Sequence, residues 1–99
     1  MVKSDNLILE MSFDFALEII DLYKKLVMQK EYIISKQLLK AGTSIGANVE
    51  EGIAASSRKD LINKFCIASK EARETRYWLK LLDRSKNGGP GLFSLSSDN

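Results

Sequence analysis

Apolar residues recur along this chain in steps of three and four, the period of helices that bury one side. In "SFDFALEIIDLYKKLVMQK" the stripe is Phe15, Ile19, Leu22 and Leu26, broadened by Ala16, Ile20, Tyr23 and Val27. This predicts a helix over about 12–30. Ser12 stands as its N-cap, Asp14 in its first turn, and Lys24, Lys25 and Lys30 near the negative end of its dipole. The preceding "NLILE" is an apolar lead-in whose conformation the pattern leaves open. A second stripe, Ile34, Leu38, Ala41, Ile45, Asn48 and Gly52, predicts a helix over about 32–54. A third, Leu61, Phe65, Ala68, Ala72, Thr75, Leu79 and Leu82, predicts one over about 58–85, opened by Ser57 with Asp60 three residues on. At 1.5 Å per residue it would be about 40 Å long.

Beyond residue 86 the helical period stops. "NGGPGLFSLSSDN" holds three of the six glycines and the only proline, and it reads as a flexible tail over 87–99. Three long amphipathic helices joined by short polar turns indicate an all-α, antiparallel up-down bundle over residues 1–86. Such a bundle leaves one side open, and a partner subunit is the simplest way to close it.

The stretch "AGTSIGANVEEG", rich in glycine and hydroxyl residues, raises the question of a phosphate-binding loop. Gly42 and Gly46 have neither the spacing nor the lysine of a P-loop, and no G-x-G-x-x-G is present. Both glycines instead share a helical stripe with Ser35 and Val49, where the lack of bulk lets another helix backbone come close. Each costs about 1 kcal/mol against alanine in a helix interior, so close packing has to compensate. Asn48 would point inward and needs a partner, either nearby backbone or Glu51. Buried hydrogen-bonding residues that fix helix register are the ordinary reading of that pair.

The chain has 99 residues, one cysteine and no histidine. A single small domain with a marginal core follows from the length. The missing histidine removes the commonest general base and the commonest metal ligand, and with Cys66 as the lone thiol no structural zinc site can form. No metal, cofactor, small-molecule substrate or catalytic constellation is suggested, so the chain is not read as an enzyme. No apolar run reaches the roughly 20 residues that span a bilayer, and the acidic N-terminus does not resemble a secretory signal, which points to a cytoplasmic protein. Cys66 reads as a small core residue.

The net charge of +2 conceals an asymmetry: residues 1–31 carry four bases and six acids, whereas 58–86 carry nine bases and four acids. A basic third helix hints at a polyanion partner, although a solubilising face is the commoner explanation. Asp14, Glu18 and Asp21, spaced four and three, form an acidic face that suits solvent or a basic neighbour better than a cation. Tyr77 and Trp78 lie beside Arg73, Arg76 and Lys80, where an aromatic ring can stack on a base between phosphate contacts; the plainer expectation is that Trp78 covers the open groove.

These residues also carry a resemblance. "SKQLLKAGTSIGANVEEG" followed by "SRKDLINKFCIASKEARETRYWLKLL" resembles the four-helix-bundle family of 23S rRNA intervening-sequence proteins, to which the accessory variability determinant of diversity-generating retroelements looks related. The specific part is Gln37, Ser44, Ile45, Asn48 and Glu51 with Ala68, Lys70, Glu71 and Glu74, and the match spans about 12–82. The resemblance implies an all-α bundle that assembles into a homo-oligomeric ring, typically a pentamer with a basic surface. It also implies association with RNA, DNA or a protein bound to them, without known catalysis. After Leu82 the chain departs from the family pattern. Where members continue into a fourth helix, this sequence enters the glycine-rich tail, as a truncated or frameshifted gene would.

Two functions are expected on these grounds. The first is a non-enzymatic oligomeric module whose third helix contacts phosphates through Arg58, Lys59, Lys64, Arg73, Arg76 and Lys80. The alternative is a purely protein-binding bundle, or an inactive truncated remnant, in which Gly42, Gly46, Asn48, Glu51 and Trp78 pack helices or subunits together.

Overall fold

Residues 3–85 are those the computed structural model describes, and they form three α-helices: α1, Lys3–Met28; α2, Ile34–Ile53; and α3, Arg58–Arg84. No strand occurs among the described residues, and successive helices run antiparallel, joined by short turns. The expected tail, 87–99, lies outside the described residues. No helix among them is long and apolar enough to cross a membrane.

Helix α1 begins at Lys3 rather than near residue 12. Leu7, Ile8 and Met11 extend the same apolar period upstream, so nothing in the "NLILE" lead-in breaks the helix. Ser12 is therefore not an N-cap. It is buried within α1, and its hydroxyl donates to the Leu9 carbonyl at 3.2 Å. Its small size matters because α2 passes directly over it. A Cβ on Gly46 would lie 3.2 Å from the Ser12 carbonyl oxygen, and one on Gly42 would lie 2.8 Å from Ile19 Cγ1. The glycine stripe of α2 is thus spent on α1 of the same chain.

The turn between α1 and α2 is built twice over. Lys30 takes a left-handed conformation, φ 67°. The amide of Glu31 donates to the Leu26 carbonyl and that of Lys30 to the Val27 carbonyl, both at 2.9 Å. That pair of bonds closes the helix in the Schellman manner, usually built on glycine. Glu31 then turns back as the cap of α2. Its buried carboxylate accepts from the Ile34 amide at 3.0 Å and the Ser35 amide at 2.6 Å. The Ser35 hydroxyl donates to the Glu31 carbonyl at 2.8 Å. Two orphan amides and the positive helix end are satisfied together.

At the other end, Gly52 lets α2 close on α3, because a Cβ there would meet the Phe65 ring at 2.9 Å. Ser57 caps α3 as the sequence suggests, its hydroxyl accepting from the Asp60 amide at 3.1 Å. Helix α2 packs against both of its neighbours and is the centre of the fold. The core is densest near the α1–α2 turn, where Ile19, Leu26, Leu38 and Leu82 are buried against Phe15, Leu22, Trp78 and Leu79. Each such leucine contributes about 1.5–3 kcal/mol by burial.

Candidate nucleic-acid interface

Helix α3 divides its surface cleanly. Ala68, Thr75 and Leu82 are buried, which fixes the face turned to α2. At 100° per residue, Arg58, Lys59, Lys70, Arg73, Arg76, Lys80 and Arg84 fall within about 120° on the opposite side. All seven are exposed. None of the acids of α3 falls inside that arc: Asp60, Glu71, Glu74 and Asp83 lie outside it, and the last three are half-buried. From Lys70 to Arg84 the cationic face runs for about 21 Å.

Five of the six phosphate-contact candidates read from the sequence, Arg58, Lys59, Arg73, Arg76 and Lys80, therefore share one face. Lys64 does not. It is half-buried toward α2, with its ammonium 2.8 Å from the Glu51 carboxylate. Glu51 correspondingly is not a buried register residue. It is exposed, and it forms a surface ion pair worth about 0–1 kcal/mol between α2 and α3. Asn48 does find a backbone partner, donating through Nδ2 to the Ser44 carbonyl at 2.8 Å. Lys70 and Arg84 join the cationic face although each has an acid near it in sequence. On the helical wheel Asp83 falls about 100° from Arg84, while Glu74, four residues after Lys70, marks the edge of the arc.

The aromatic pair also divides. Trp78 packs against the buried cluster and does not line the open groove. Tyr77 stands outward, 56% exposed, with its ring edge-on to Trp78 at a centroid distance of 5.2 Å and an interplanar angle of 68°. Cys66 is exposed on α3 rather than packed in the core, since its position on the helix falls on the outward side. Arg73 is steadied by a bond from Nη1 to the Ser69 hydroxyl at 3.1 Å.

A second surface lies at the end of the bundle away from the dense core. Leu7, Met11 and Phe15 of α1, Ile45 and Val49 of α2, and Phe65, Ala68 and Ala72 of α3 line an apolar groove of about 900 Å³, with Asp14 and Glu18 also on its wall. This is the open side expected of a three-helix bundle.

The model of the 23S rRNA-intervening sequence protein family matches residues 4–88. The chain belongs to this family. A solved crystal structure from Bacteroides thetaiotaomicron, a protein of unknown function from the S23 ribosomal protein family, is 50% identical in sequence. It superposes with a TM-score of 0.85 over 91% of this chain and 81% of that one. No functionally curated protein matches the chain. Within the 23S rRNA-intervening sequence family, then, this member has a three-helix body over its described residues, with a fourth helix absent among them.

Proposed function

We propose that the protein is a non-enzymatic helical-bundle module that binds RNA or DNA through the outward face of α3. The observation that carries this reading is the acid-free row of exposed cations from Arg58 to Arg84. Cations scattered only for solubility would be interleaved with carboxylates on the same face. A one-sided band of guanidinium and ammonium groups suits a phosphate backbone and reads no base sequence. The absence of histidine from the chain supports a binding role over a catalytic one. In a fluorescence-anisotropy titration against short RNA and DNA, the logarithm of affinity should fall linearly with the logarithm of salt. Engagement of about five cations gives a slope of roughly −3 to −5. Lack of affinity for every RNA and DNA at low salt would overturn the proposal.

A second reading rests on the groove. An apolar trough floored by Ile45 and Val49 and walled by Met11 and Phe65 is a place for another protein. A further copy of this chain is the proposed occupant, and the ring implied by family resemblance is one such assembly. Light scattering over a range of concentrations should then give a mass above that of one chain, rising with concentration to a plateau. A constant mass of one chain would remove it. Gly46→Leu is no test of assembly, because Gly46 lies against Ser12 of the same chain.

A further inference from the structure

We infer that the nucleic acid taken by α3 is single-stranded, and that Tyr77 is the platform on which one of its bases stacks. This rests on the proposed nucleic-acid role and specifies the ligand of that same face. Tyr77 sits inside the cationic row: Arg73 lies one turn before it and Lys80 one turn after, with Lys70 and Arg84 a further turn out on either side. Phosphate contacts thus flank the ring in both directions along the helix. The ring is exposed, yet it is held from below, edge-on against Trp78, which is itself packed into the core. Leu81, 37% exposed, lies four residues on and extends the apolar surface beside it.

The other strongly exposed aromatics among the described residues have no such setting. Phe13 stands beside Asp14 and near Glu10 on the acidic face of α1, and Tyr32 follows Glu31 in the α1–α2 turn. A ring amid cations has little use against a duplex, whose base faces are already stacked on one another. A splayed single strand offers both phosphates and free base faces, and aromatic stacking of this kind tolerates any sequence. Choice between strands is therefore expected at Tyr77, and raw electrostatic affinity at the arginines and lysines around it.

The test compares a short oligouridylate with an RNA duplex of equal length, at matched salt, for the wild-type chain, Tyr77→Leu and Tyr77→Phe. Stacking predicts tighter binding of the single strand by the wild-type protein. Tyr77→Leu should weaken oligouridylate binding by about 5-fold or more, leave duplex binding and the salt slope unchanged, and be rescued by Tyr77→Phe. Because the side chain is exposed, circular dichroism should report the same fold for all three. Equal affinity of Tyr77→Leu and wild type for oligouridylate, or an equal loss on both ligands, overturns the inference while leaving the proposed function standing. Binding of the duplex alone does the same. Binding of neither ligand overturns the inference, and it overturns the proposed function as well if DNA is likewise unbound at low salt.

Discussion

Gly42→Leu will lower the unfolding free energy by about 3 kcal/mol. The first side-chain atom alone creates the conflict, since a Cβ at this position lies 2.8 and 2.9 Å from the two γ-carbons of Ile19 and 3.2 Å from its β-carbon. Ile19 cannot step aside. It is 3% exposed and belongs to the buried cluster, and a β-branched side chain in a helix has one strongly preferred rotamer. The rest of a leucine would have to lever α1 away from α2. Higher helix propensity returns only about 1 kcal/mol. Gly42→Ala, which adds the Cβ and nothing more, should show the smaller net loss left after that return. Urea titration measures both, as a lower midpoint at unchanged slope. A Gly42→Leu chain as stable as its parent would mean that α1 and α2 are not in contact there.

Glu31→Ala is expected to cost about 2 kcal/mol, at the upper end for loss of a helix cap. The side chain accepts from the Ile34 and Ser35 amides, and Ser35 is fully buried. Removing the carboxylate leaves donors without an acceptor in a place water cannot easily supply one, and bonds to a charged partner are the stronger kind. Glu31→Gln retains one oxygen acceptor and should recover part of the loss. Thermal unfolding gives the totals, and hydrogen exchange at the amides of residues 34 and 35 locates the effect. Unchanged protection of both amides in Glu31→Ala would show that the cap contributes nothing.

The bundle is legible in the sequence because its three buried stripes keep the helical period without interruption, and because Ser57 is an ordinary cap. The start of α1 is not, because Ser12 looks like a cap and only the glycine stripe of another helix reveals why a small residue sits there. Glu31 escapes notice for a similar reason. A glutamate before two exposed apolar residues, Tyr32 and Ile33, resembles loop sequence, and its capping role depends on the left-handed turn at Lys30. Glu51 and Lys64 stand thirteen residues apart on different helices, so no local spacing pairs them. The cationic face lies between these cases. Its members are visible as a basic segment, but their separation from the acids appears only once the buried residues of α3 fix which way the helix faces.

That division of α3 has an evolutionary corollary. The residues that hold the helix in place and those offered to a ligand lie on opposite sides of one rod, and changes at such separate positions combine nearly independently. A lineage could alter the charges on the outer side, trading one target for another, without any compensating change inside the scaffold, whereas the ring of Tyr77 is tied to the interior through Trp78.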